Sequence, residues 1–197
     1  MRYEKGHKDT TRQHIIDVAA RRFRQDGVAA AGLAGIMTDA GLTNGAFYTH
    51  FKSKDDLVCE TLMNSLDTIR ERILAAGQGD GAIREYLSVK HRDRPDTGCP
   101  TPALVAEIAR LPKKTRTAYT ERVNGLIDLI ASRFRNGSDE ERRRRAMALY
   151  GLMIGTVQLA RAVNDKKLSD QILEGGLELA LAVADRSSSI PMPPPED

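Results

Sequence analysis

The sequence contains no tryptophan, and Phe and Tyr together bring aromatics to only 5% of its 197 residues. Strand-rich sandwiches and barrels lean on aromatic and β-branched side chains, whereas here Ala, Leu and Arg recur at helical spacing. The composition therefore points to an all-α protein. Two cysteines, Cys59 and Cys99, are too few for a disulfide framework and lack the paired spacing of a zinc site, so free thiols are expected. No stretch approaches the roughly 18 uninterrupted apolar residues of a membrane helix, and the start MRYEKGHKDTTRQ lacks the apolar core of a secretory signal. No membrane partner and a cytoplasmic location are the expectation. GxSxG, HExxH, a phosphate-cradling glycine loop and His/Cys metal spacing are all missing, which argues against an enzyme and against a metal or other cofactor.

What is present suits an ordinary folded chain: 41% hydrophobic and 29% charged residues. The length fits one medium domain or two small ones and excludes a large multidomain enzyme. Net charge is only +3, but it is unevenly spread. Residues 1–54 hold nine Lys or Arg against five Asp or Glu, while residues 55–197 hold 21 against 22. His7, His14 and His50 also fall in the first part, an asymmetry expected where one end of a protein meets a polyanion.

Hydrophobic periodicity predicts about nine helices and no strand. Ile15, Ile16, Ala19, Ala20 and Phe23 mark the first, over about 10–25, with Arg12, Arg21, Arg22 and Arg24 on its other face. A short helix over about 32–40 stops at Gly41. Thr43 is placed to cap a third, with its hydroxyl accepting a backbone N–H one turn in. Ser53 and Asp56 have N-cap spacing for a long fourth helix reaching about Ala75. A fifth over 83–90, a loop HRDRPDTGCP, and helices over 101–109, 113–134, 138–163 and 169–184 follow, with Ser138 and Glu141 spaced as a capping box. The Ser/Pro-rich tail, 187–197, is expected to be disordered.

The segment AGLAGIMTDAGLTNGAFYTHF, residues 31–51, has the layout of a helix-turn-helix. A glycine near Gly41 lets the chain reverse sharply, and Ile36, Met37, Leu42 and Phe47 fix the angle between the helices. The outer face of the second helix is then free for a major groove. Asn44 offers a donor and an acceptor to an adenine edge, Ala46 and Thr49 can meet a thymine methyl, and Gly45 lets the backbone approach. Thr43, Tyr48, His50 and Lys54 carry donors suited to phosphate oxygens, which position without reading sequence.

The string GLTNGAFYTHFKSKDDLV resembles, nearly position by position, the recognition-helix signature of the TetR family of transcriptional regulators. Gly41, Leu42, Thr43, Gly45, Phe47, Tyr48, His50, Phe51, Ser53, Lys54, Asp55 and Leu57 satisfy it. The resemblance covers about residues 10–60 strongly and the remainder in helix count and order. It implies a three-helix DNA-binding domain over 8–54, a helical ligand-binding and dimerisation domain over 55–186, and a homodimer on a near-palindromic operator in double-stranded DNA. It also implies a repressor released by a small-molecule effector. Two departures stand out. Ala31, Gly32, Ala34 and Gly35 replace the capping and charged residues of many members, weakening the second helix by about 1 kcal/mol per interior glycine. Asn44 replaces a frequent Lys, moving that position from charge toward base reading.

Beyond residue 60 nothing names a ligand. Met63, Leu66, Tyr86, Tyr119, Leu126, Met153 and Gln158 fall on helices that would enclose a pocket in this architecture. Cys99, at a helix start near Arg92 and Arg94, is a candidate thiolate, which leaves a thiol-based electrophile or redox sensor with weak or lost DNA recognition as the alternative function. For the dimer interface, Gly151 and Gly155 give a smooth stripe, and Leu173, Leu177, Ala180 and Leu181 a matching apolar side.

Overall fold

The computed structural model describes residues 5–77 and 79–185. Within them lie ten α-helices, one short 3-10 turn and no strand. The expected tail, 187–197, lies outside the described residues. The N-terminal head contains α1 (Lys5–Asp26), α2 (Leu33–Asp39) and α3 (Asn44–Phe47), and α4 (Lys54–Ala75) runs from it into the body. The body adds α5 (Gly81–Tyr86), α6 (Val89–Asp93), the 3-10 turn Pro95–Thr97, α7 (Pro100–Ile108), α8 (Lys113–Ala131), α9 (Asp139–Ala162) and α10 (Lys166–Asp185).

The head is built on the periodicity of α1. Ile15, Ile16, Ala19 and Phe23 are buried against Ile36, Met37, Phe47, Phe51 and Leu57, so one apolar stripe gathers three short elements that would be marginal alone. Gly41, at φ +68°, ends α2 in a left-handed turn. Its N–H donates to Thr38 O and that of Leu42 to Met37 O, both at 2.9 Å, the paired bonds of a Schellman stop. The two glycines around α2 do not unseat it, because Ile36 and Met37 are both fully buried. Tertiary packing outweighs propensity here.

The N-caps follow the sequence in two of three places. Ser53 Oγ accepts from Asp56 N–H at 3.1 Å, and at α9 both halves of the Ser138–Glu141 capping box are formed. Thr43 occupies the N-cap of α3 with extended backbone, yet its hydroxyl makes no capping bond. Its carbonyl accepts from Ala46 N–H instead, because α3 is a single turn.

The helix expected over 83–90 is two helices. Ser88 Oγ caps α6 by accepting from His91 N–H at 3.1 Å, so the chain breaks at Leu87 and Ser88, and α6 takes in His91 and Arg92 of the expected loop. Buried Arg92 clamps α6 to α10 through Ser169 Oγ at 2.8 Å and Asp170 at 2.6 Å, while also pairing with Asp93. Arg161 of α9 donates to the carbonyls of His91 and Arg92. A second core, including Ile83, Leu87, Leu149, Met153, Val157 and Ala180, joins α5, α9 and α10.

Candidate nucleic-acid interface and ligand cavity

On α3 and the turn after it, inward and outward positions divide sharply. Phe47 is 0% exposed and stacks on Phe51 with centroids 5.4 Å apart. Adjacent Tyr48 is 70% exposed, and its ring meets Phe47 edge to face. Thr43, Asn44, Gly45 and Thr49 are exposed beside it. The Thr49 hydroxyl donates to Ala46 O at 2.7 Å, fixing the side chain while leaving its oxygen able to accept. Arg12 lies 4.7 Å over the Phe51 ring and pairs with Glu60, holding α1, the turn after α3 and α4 together. The face is polar and exposed to solvent.

Four head residues sit differently from the sequence expectation. Lys54 is half-buried, and its Nζ donates to Val28 O at 2.6 Å, so it ties α4 to the α1–α2 turn rather than projecting toward phosphate. Ala46 is half-buried and packs on the head core, which draws its methyl away from the outermost surface. His50 is half-buried with no hydrogen-bond partner at Nδ1; desolvation, then Lys8 and Arg12, pushes its pKa down. Arg24, expected on the polar face of α1, turns inward to Asp96 O and Ser65 Oγ, and burial pulls its pKa down to about 10.

In the body, a cavity of about 1310 Å³ opens between the C-terminal end of α4, α5, α6 and the helices α8 to α10. Tyr86, Cys99 and Met153 line it. Met63, Leu66, Tyr119, Leu126 and Gln158 do not. Leu66 and Leu126 are buried with Tyr150 in a separate core that Met63 and Tyr119 cover, because α4 and α8 pack directly on each other along those faces. Tyr119 spends its hydroxyl on Thr101 at 3.2 Å.

Cys99 is only 1% exposed. Its N–H donates to His91 Nε2 at 3.2 Å, and His91 Nδ1 donates to Tyr86 O at 2.6 Å. The thiol lies beside the phenols of Tyr86 and Tyr150, whose pKa values burial raises. Arg92 and Arg94 do not stabilise it, contrary to expectation. Arg92 is taken by Asp93 and Asp170, and Arg94 by Asp96.

The family described as "Bacterial regulatory proteins, tetR family" matches residues 15–61, the head and the start of α4. AcrR of Shigella flexneri, an HTH-type transcriptional regulator, is 51% identical over 91 residues, which is 44% of this chain and 42% of that protein. The HTH-type transcriptional regulator TtgR of Pseudomonas putida is 29% identical over 87% of this chain and 75% of its own length. The transcriptional repressor NemR of Escherichia coli is 25% identical over 74% of this chain and 81% of its own. The head is thus similar to the DNA-binding region of the TetR family. The crystal structure of reduced E. coli NemR shares this chain's fold at TM-score 0.71, with 24% identity over 87% of this chain and 95% of that one. A TetR regulator from Chloroflexus aurantiacus does so at 0.72, with 24% identity over 91% and 97%.

Among the described residues no helix is long and apolar enough to cross a membrane. The positions assigned to a dimer interface divide. Gly151 and Gly155 are exposed on α9. Leu173 and Ala180 are buried within the monomer, and Leu177 and Leu181 pack on its second core, because that face of α10 is the one seated on α9. The exposed apolar side chains of these helices are instead Met147 and Leu159 on α9 and Leu168 and Leu179 on α10. Their spacing carried this information: 144, 148, 151, 155, 159 and 162 form one exposed stripe of α9, on the side opposite Leu149, Met153 and Val157.

Proposed function

We propose that this chain is a TetR-type transcriptional repressor that binds a near-palindromic operator as a homodimer and is released by a small molecule held in the body cavity. The observation that carries the reading is the outward Tyr48, flanked by exposed Thr43, Asn44, Gly45 and Thr49 and anchored from behind by Phe47. Asn44 and Thr49 read base edges, with Gly45 allowing the close approach, while Tyr48, Thr43 and His50 hold phosphate oxygens.

The dimer forms through the exposed stripe of α9 and α10. Gly151, Gly155 and Gly175 let helices approach closely, and Leu159 and Leu179, 55% and 53% exposed, supply apolar area to bury in a four-helix bundle. Two α3 segments then reach successive major grooves about 34–36 Å apart.

The route from cavity to head runs along α7. Cys99, at its N-cap, forms part of the cavity wall. Glu107, in its last turn, accepts from Ala29 N–H in the α1–α2 turn at 3.0 Å. A ligand that binds one placement of α7 more tightly than another shifts the population of head orientations, and operator affinity falls by no more than that difference in affinity allows. Selection of DNA fragments from a random pool by the intact chain tests this. Enrichment of one near-palindrome with half-sites a helical turn apart is the expected result, and a pool without a shared sequence would remove the operator reading.

A further inference from the structure

The cavity wall carries a concentration of positive charge that its surroundings do not neutralise. Arg72 of α4, Arg133 just after α8 and Arg145 of α9 all line it. Among the described residues none of the three is ion-paired, and each donates only to backbone carbonyls. Arg72 reaches Thr97 O at 3.4 Å. Arg133 donates to Ile73 O at 3.0 Å and to Gly77 O. Arg145 donates to Asn136 O at 3.2 Å and to Val183 O at 3.0 Å, with its guanidinium 4.4 Å over the Phe134 ring. Its Nε–H is buried with no acceptor at all, an unmet donor on a cation.

The other charges on the wall do not cancel this. Arg84 and Asp80 pair with each other, as do Arg94 and Asp96, Glu85 and Asp185 are exposed, and Lys90 and Arg135 add further positive charge. Between the cations the surface is apolar, with Ile73, Ile130, Phe134, Leu149, Met153 and Leu181. A carbonyl supplies a partial negative charge where a guanidinium can take a full one in a bidentate pair.

We infer that the cavity takes an amphipathic organic anion, a carboxylate or sulfonate on an aromatic or alkyl body, with the acid group received by Arg145, Arg133 and Arg72 and the body laid on the apolar wall. This rests on the reading of the cavity as the effector site and adds the chemical class. A purely structural role for these arginines, capping the C-terminal ends of α4 and α10, predicts variants that lose stability without changing which ligands bind.

Two dyes with one aromatic frame separate the readings: 8-anilinonaphthalene-1-sulfonate carries the anion and N-phenyl-1-naphthylamine lacks it. Fluorescence titration of the intact chain is expected to give the sulfonate a Kd about tenfold or more below that of the neutral dye, the factor of one charge-assisted hydrogen bond. Arg145→Gln and Arg72→Gln should each cut that preference several-fold while leaving the neutral dye's Kd unchanged. Arg72 is exposed and makes one long bond, so its variant keeps the test valid if Arg145→Gln fails to fold. Equal affinity for the two dyes, or a preference untouched in both folded variants, would overturn the anionic class and leave the cavity a ligand site. Binding of neither dye would overturn the cavity reading itself.

Discussion

The Glu107 carboxylate of α7 accepts a hydrogen bond from the Ala29 backbone N–H of the head at 3.0 Å, across 78 residues of chain. The same carboxylate crowds Gly27, where a Cβ would lie 2.7 Å from Oε1 and the backbone is held at φ +83°. One side chain of the body therefore sets the turn from which α2 and α3 follow.

This contact distinguishes two glycines that share a left-handed backbone. Gly27→Ala and Gly41→Ala each carry strain of about 1–2 kcal/mol, but a Cβ at Gly41 meets open space. Chemical denaturation is expected to show Gly27→Ala as the more destabilising, and the excess should vanish in a Glu107→Ala background. An excess that survives without Glu107 would break the proposed link between α7 and the head.

His91 ties stability to pH. Its Nδ1–H is donated to Tyr86 O and its Nε2 must stay unprotonated to accept Cys99 N–H, and desolvation pushes its pKa below the ordinary 6.5. The unfolded chain therefore takes up a proton before the folded one does. This contribution to stability is full above about pH 6.5 and is lost as pH falls from there toward the folded pKa. The melting temperature should drop between pH 7.5 and 5.5, with a smaller drop in His91→Gln. An identical pH slope in the variant would remove His91 as the cause.

Leu159 and Leu179 test the dimer face. Both are exposed on the monomer, so Leu159→Glu with Leu179→Glu costs the isolated fold little and places charge in the proposed bundle. Sedimentation should show a dimer for the parent and a folded monomer for the double variant. A double variant that stays dimeric would shift the interface elsewhere.

The head was legible because its core is local: Ile15, Phe23, Ile36 and Phe47 lie within about 30 residues of one another, and Gly41 is an unambiguous stop. The body was less so. Periodicity shows that Leu66, Leu126 and Leu173 face inward but not whether inward means a packed core or a cavity wall, since both are apolar. Ser88, a cap inside what reads as one helix, split α5 from α6. The arginines of the cavity are not legible in the sequence, because nothing in the chain tells a solvated Arg133 or Arg145 from one held by the carbonyls of Ile73 in α4 and Val183 in α10. Lys54 is the opposite case: a charged residue at a helix start suggests an outward side chain, and the Val28 carbonyl captures it instead.

The central claim is that α3 reads duplex DNA from its outer face, and the selected operator provides the direct measurement. Tyr48→Ala is expected to weaken binding about tenfold on the operator and on every single-base variant alike, since a phosphate contact carries no sequence information. Asn44→Ala is expected to erase a preference of about 1–3 kcal/mol at one base pair per half-site and to leave discrimination at the others intact. Unchanged affinity in Tyr48→Ala, or uniform weakening across all operator variants in Asn44→Ala, would contradict the account.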